Sequence, residues 1–430
     1  METSQIYQLF LSQPQISIDS RSPERNSLFF ALKGENHDAN DFAAEALKNG
    51  ASYAVVDNPE VAITDRYILV KNVLETLQQL ALLHRQRFNI PLLAITGSNG
   101  KTTTKELVAT VLSKKYNTLF TKRNLNNHIG LPLTLMQLNS NHQIAVIEMG
   151  ANHIGEIDTL CRIALPTFGL ITNIGHAHLE GFGSFEGVLA AKTELYAFIR
   201  QQLGKVFVNA SDDLLMKHAA NISKVTYGLN PKADYSAALM KSHPFLTLKC
   251  TENCTNFEVP TQLTGNYNAT NIAAAVCIGR YFGVAVYDVV QAIADYIPAN
   301  NRSQIINTGK NHLILDAYNA NPSSMVVALE NFSQQPGRPQ MCILGDMLEL
   351  GSYTDEEHKK IQELTLKSAF DRLIFVGEYF YRHKSGHTNC NYFIDTQQAK
   401  EWLAQNQFSG FNILIKGSRK IQLESLVEHL

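Results

Sequence analysis

Nine residues, Thr96-Gly-Ser-Asn-Gly-Lys-Thr-Thr-Thr104, combine a glycine turn with a lysine and a run of hydroxyls. A tight turn that enters a helix aims backbone N–H groups and the positive end of the helix dipole at one point, which suits a phosphate. Lys101 adds a mobile positive charge for the outer phosphates, and the Thr102 hydroxyl can reach the accompanying Mg²⁺. Gly97, Asn99, Gly100 and Thr103 supply the rest of the cradle. The general phosphate-loop pattern asks for a longer spacer between its glycines. Here only Ser98 and Asn99 separate Gly97 from Gly100. The flanking text still reads as strand, turn and helix. Pro91–Ile95 is a short aliphatic run, and Leu107, Val108, Val111 and Leu112 share one helical face.

Phosphoryl chemistry also needs a cation to spread charge between attacking and leaving oxygens. Ile144–Ile147 is expected as a buried strand that delivers Glu148 at its C-terminal end, where ligands gather in open α/β sheets. Thr167–Thr172 is a second such strand, and the segment after it brings His178 to the same edge. Thr102, Glu148 and His178 together offer a hydroxyl, a carboxylate and an imidazole. Lys192 lies on the next expected helix with Glu194. On its own it reads as an ordinary surface lysine.

The elements around these residues alternate strand and helix over most of the 430-residue chain, which places it in the α/β class with three domains. Residues 1–88 form an N-terminal α/β unit, with strands expected at Leu28–Leu32 and Ala51–Val56 and a helix at Phe42–Asn49 ended by Gly50. Residues 89–297 form a central unit with a P-loop-type parallel sheet. Its later part, about 233–264, reads as short antiparallel strands forming a flap. Gly265–Asn271 then opens a helix. Residues 298–430 form a third, Rossmann-like α/β unit, with strands at Leu313–Leu315, Met341–Leu344, Leu373–Val376 and Asn412–Ile415.

Composition narrows the function. Charged residues are 18% and hydrophobic ones 45%, as in an ordinary globular protein, and the net charge of −2 carries no long basic run. Nucleic acid and anionic membrane surfaces are therefore not expected partners. No apolar stretch approaches the roughly 18 residues of a membrane span. The N-terminal Met1-Glu-Thr-Ser-Gln5 lacks a signal-peptide layout, so a cytoplasmic protein is expected. The six cysteines are scattered and only Cys250 and Cys254 are close, which argues against zinc and for reduced thiols.

Several stretches resemble the ATP-dependent Mur ligases: Thr96–Lys105, Glu148–Asn152, Thr172–Ser184 and Asp316-Ala-Tyr-Asn-Ala-Asn-Pro322. Asn124–Thr134 and Leu344–Gly351 resemble the branch that joins D-alanyl-D-alanine to UDP-N-acetylmuramoyl-tripeptide. The resemblance implies an N-terminal UDP-substrate domain, a central ATP-binding domain and a third domain that closes over ATP and binds the dipeptide. It also implies a carboxylate activated by ATP as an acyl phosphate and then attacked by an amine, in a monomeric enzyme.

Residue by residue, the resemblance puts Lys101 on the β/γ-phosphates, Thr102 and Glu148 on one Mg²⁺, and His178 on a second. Lys192 matches a lysine that is often carbamylated in this family, which turns a cation into a metal partner. Asn271, Arg302, Asp316 and Asn319 would contact the nucleotide, Arg302 at its γ-phosphate. Ser20, Arg21, Asn124, Asn126 and Asn127 would face the UDP-sugar peptide. Asp346, Glu349, Lys416 and Ser418 would lie near the dipeptide or the closed cleft. Tyr267, Asn301 and Asn40 depart from the residues usual at their positions, the first two near the nucleotide and the third in the first domain.

A sister ligase adding the third peptide residue, or a folylpolyglutamate synthase, would share the central domain but not the Asn124–Thr134 and Gly345–Gly351 stretches. A nucleotide-driven switch would leave His178 and Arg302 without a role.

Overall fold

The strand Leu92–Thr96, buried at every position, runs inside a nine-stranded sheet. In the computed structural model, which describes residues 1–34, 37–299, 301–337 and 339–430, three sheets follow one another along the chain. Leu92–Thr96 lies between Phe168–Ile171 and Ile144–Glu148, both parallel to it. Their apolar side chains leave no solvent face, so helices cover both sides. Thr118–Phe120 forms one edge. On the other side the sheet continues through Lys205–Asn209 and Ser223–Gly228. Tyr235–Lys241, Thr247–Glu252 and Thr255–Pro260 each run antiparallel to the next, as expected. They are no separate flap, however, because Tyr235 and Ser236 pair with Ser223–Gly228 and so extend the central sheet.

The first sheet is parallel throughout, in the order Ile16–Ser17, Leu28–Phe30, Tyr53–Val56, Tyr67–Leu69. The helix Val73–Gln86, capped by the Asn72 side chain on Glu75 N–H at 2.9 Å, follows it. Its buried residues Val73, Leu77, Leu80 and Ala81 share one core with Leu92, Leu131 and Ile157 of the central unit. Arg85 Nε donates to Ala164 O at 2.9 Å, fastening the same helix to the central unit. Truncating Leu80 to Ala would cost about 2–5 kcal/mol and loosen both units at once.

The third sheet runs Gln304–Asn307, His312–Asp316, Asn412–Lys416, Gln340–Gly345, Arg372–Val376, Cys390–Phe393, with only the first pairing antiparallel. Asp316 and Lys416 therefore end adjacent strands in register. Among the described residues, no helix is long and apolar enough to cross a membrane.

Candidate active site

The phosphate loop takes its shape from two glycines. Gly97 has φ 138°, and a Cβ there would run into the Thr172 hydroxyl. Gly100 has φ 79° and precedes the helix Lys101–Leu112 as its cap, and a Cβ would come within 2.7 Å of Asn271 Oδ1. The helix thus begins at Lys101 itself and leaves its first N–H groups facing the loop. Lys101 Nζ folds back onto Gly97 O at 2.7 Å and Ser98 O at 3.0 Å. Burial pulls its amine down to about 8, the Arg302 charge adds to that, and Glu148 opposes it. Asn271 accepts from Thr104 Oγ1 at 3.1 Å and so sits directly behind the loop.

Glu148 is 2% exposed and accepts at Oε1 from Thr102 Oγ1 (3.1 Å) and Asn126 Nδ2 (2.8 Å). Its backbone N–H donates to Thr121 Oγ1 at 3.0 Å, which fixes the end of the strand. Its Oε2 is buried with no partner. A buried carboxylate oxygen left bare is costly unless a cation is to meet it. Among the described residues no three His, Cys, Asp or Glu side chains cluster as a metal cage. One carboxylate beside one hydroxyl instead suits Mg²⁺, which keeps water and phosphate oxygens as most of its ligands. The donor set fits that ion.

His178 lies across the cavity, its Nδ1 2.5 Å from Glu349 Oε2 of the third unit. This close contact lacks the alignment of a hydrogen bond. It draws the Glu349 carboxyl below its ordinary value, against the opposing effect of burial. Lys192 is buried behind the cavity wall, with Nζ donating to Ala151 O at 3.3 Å and lying 5.0 Å from the Phe182 ring centre. Burial, with the Lys101 charge adding and Glu156 and Glu194 opposing, pulls its amine down to about 7. An appreciable share is then the neutral, nucleophilic amine.

The third unit completes the cavity. Arg302 stacks over the Tyr318 ring at 3.8 Å, while its Nε is buried without a partner. Lys416 Nζ donates to Asp316 Oδ2 at 2.6 Å and Asn319 O at 3.4 Å, so it braces those two residues at the cavity wall. Tyr267, the first of the departures, pairs its hydroxyl with Ser303 Oγ at 2.8 Å across the two units. Asn301 takes φ 56° beside Arg302.

A cavity of about 700 Å³ brings together Asn99, Gly100, Lys101, Thr102, Thr103, Asn124, Asn126, Asn127, Glu148, His178, Asn271, Arg302, Asp316, Asn319, Glu349 and Lys416. It does not take in Ser20 or Arg21, which lie on the first unit paired with Glu45 and Asp19. Asp346 and Ser418 are likewise elsewhere, a correction to their expected place in the cleft. The Asp346 carboxylate accepts from Tyr379 N–H (2.9 Å) and Phe380 N–H (3.0 Å), capping a helix inside the third unit. Ser418 Oγ accepts from Leu348 N–H at 3.0 Å and supports the loop that carries Glu349. Asn40 is buried in the first unit, tied to Asp38 and Asp57.

Two residues went unnoticed in the sequence. Asn321 Nδ2 donates to Asn99 Oδ1 at 2.8 Å, and Ser323 Oγ accepts from His176 N–H at 2.9 Å. Both lie in or beside Asp316–Pro322, and the signal was the Asn-Pro-Ser start of a helix, which marks a cap.

Models of known families match three successive parts of the chain. They are "Mur ligase family, catalytic domain" over residues 14–85, "Mur ligase middle domain" over 95–279, and "Mur ligase, glutamate ligase domain" over 301–419. The UDP-N-acetylmuramoyl-tripeptide–D-alanyl-D-alanine ligase of Bacillus subtilis is 34% identical, covering 96% of this chain and 92% of its own. A crystal structure of MurF from Acinetobacter baumannii superposes with TM-score 0.87 at 32% identity, over 96% of this chain and 92% of that one. The MurF ligase of Thermotoga maritima in complex with ADP superposes with TM-score 0.85 at 27% identity, over 97% of both chains.

Proposed function

Because the chain belongs to the Mur ligase family, we propose that it joins D-alanyl-D-alanine to UDP-N-acetylmuramoyl-tripeptide at the expense of ATP. The reaction gives UDP-N-acetylmuramoyl-pentapeptide, ADP and phosphate, a step in peptidoglycan precursor synthesis. One observation carries this reading beyond the likeness. Lys101 and Arg302, from different units, converge on one cavity beside the unpartnered Glu148 oxygen. Two cations lining one cavity beside a buried carboxylate oxygen without a hydrogen-bond partner favour an anionic ligand that arrives with a cation of its own.

A carboxylate is a poor acylating group, and phosphorylation gives it a good leaving group. The first step brings two anions together, the peptide carboxylate and the γ-phosphate, so its barrier is mainly electrostatic. Lys101 leaves its carbonyl partners and follows the β/γ-phosphates, while Arg302 meets the γ-phosphoryl from the opposite side. Thr102 and Glu148 would hold one Mg²⁺ and His178 a second. Bound there, Mg²⁺ neutralises charge shared by the phosphates and the incoming carboxylate. Lys192 as a carbamate would supply a negative group beside Ala151 in place of the cation. Asn271, Asp316 and Asn319 orient the nucleotide, and Asn124, Asn126 and Asn127 receive the peptide end of the UDP-linked substrate. The dipeptide amine then attacks the acyl phosphate, the tetrahedral intermediate collapses, and phosphate leaves.

Phosphate release measured with each substrate omitted in turn tests the assignment. Release that requires both the UDP-tripeptide and D-alanyl-D-alanine supports it, and release that ignores both contradicts it.

A further inference from the structure

The loop Met347–Tyr353 of the third unit closes on the turn that carries His178. Besides the 2.5 Å contact between His178 Nδ1 and Glu349 Oε2, Glu180 N–H donates to Glu349 O at 3.3 Å. Gly351 lies against the Glu180 backbone, and Tyr353 OH reaches Gly183 O at 3.5 Å. His178 (φ 52°) and Glu349 (φ 65°) both sit in the left-handed region, which non-glycine residues populate only where their surroundings hold them there. From behind, the loop is held by Leu348 N–H on Ser418 Oγ (3.0 Å) and Met347 N–H on His358 Nε2 (2.9 Å).

A histidine that binds a metal through one ring nitrogen is commonly oriented by a carboxylate at the other. We infer that Glu349 is a positioning residue, which takes the Nδ1 side of His178 and leaves Nε2 for the metal only while the third unit is docked. The inference rests on the reading above that His178 faces a metal. It removes Glu349 from the set of dipeptide contacts and makes the metal site conditional on closure. ATP would then be activated only after the third unit, with Arg302, has arrived.

The test is titration of Mn²⁺ into the full-length enzyme holding a non-hydrolysable ATP analogue, with free Mn²⁺ read by electron paramagnetic resonance. Glu349 is 53% exposed at its side chain, so truncation leaves the fold in place, and a thermal melt checks this. Glu349→Ala is expected to weaken Mn²⁺ binding about 10–100-fold. His178→Ala should act in the same direction, and Glu349→Asp should recover part of the loss. Weakening by His178→Ala but not by Glu349→Ala overturns the inference and leaves the proposed reaction standing. Weakening by neither removes His178 from the metal site altogether. A raised KM for D-alanyl-D-alanine in Glu349→Ala, with Mn²⁺ affinity intact, makes Glu349 a substrate contact and also overturns the inference.

Discussion

Asn321 of the third unit donates from Nδ2 to Asn99 Oδ1 of the phosphate loop at 2.8 Å, so a helix cap and a phosphate cradle share a hydrogen bond. The same side chain accepts from Ser324 N–H at 2.9 Å and starts the helix Pro322–Ser333. Asn321→Asp keeps the acceptor and loses the donor, so it separates the two tasks. We expect Asn321→Asp to lower kcat while its melting temperature stays close to wild type. Asn321→Ala should add a loss of about 0.5–2 kcal/mol from the missing cap. Steady-state kinetics and thermal melts distinguish them, and equal melting temperatures with unchanged kcat in both variants would count against the shared bond.

Arg302 reaches the cavity only because the third unit sits over the loop, and its Nε is buried without a hydrogen-bond partner. Arg302→Ala should lower turnover by about 10³-fold or more, the scale seen when an arginine meets a transferring phosphoryl group. UDP-tripeptide binding, followed by calorimetry, should hardly change. Equal losses in turnover and binding would show that Arg302 serves binding alone.

The parts of this site that were legible in the sequence are those set by local chemistry. A strand, two glycines, a lysine and a threonine define the phosphate loop without help from the rest of the chain. Glu148 was legible because a buried strand delivers it at its C-terminal end. Contacts between units were not, since spacing along a chain carries no distance between Asn99 and Asn321 or between Tyr267 and Ser303. Asp346 shows the converse. The family resemblance puts it near the cleft, yet it caps a helix that begins at Glu378, and only the packing of two elements reveals that. The antiparallel strands after Tyr235 were legible as a pattern, but their pairing with Ser223–Gly228 is tertiary.

His358 ties stability of the Glu349 loop to pH. It is fully buried, accepts from Met347 N–H at Nε2, and has its pKa pulled from 6.5 to about 4, chiefly by burial. The unfolded chain takes up this proton as pH falls from 6.5 toward 4 while the folded chain does not, so stability is lost across that window. The shift corresponds to about 3 kcal/mol. His358→Gln retains an acceptor for Met347 and does not titrate. Denaturant melts from pH 7 to 4 should show the wild-type advantage shrinking with acid, and a constant difference would contradict the assignment.

Lys192 is placed to react with carbon dioxide, since its buried amine is pulled down to about 7. Enzyme equilibrated with ¹³C-bicarbonate should show a carbamate carbon resonance that is absent from Lys192→Arg, and Lys192→Ala should lose most of its activity. A spectrum without that resonance, together with an active Lys192→Ala enzyme, would take the carbamate out of the mechanism.

In the proposed reaction ATP activates the peptide carboxylate as an acyl phosphate before the dipeptide amine attacks. UDP-tripeptide labelled with ¹⁸O in its terminal carboxylate, supplied with ATP and D-alanyl-D-alanine, tests this by mass spectrometry of the phosphate released. UDP-pentapeptide should form together with phosphate that has gained one ¹⁸O from the carboxylate. Pentapeptide formed with unlabelled phosphate would contradict it.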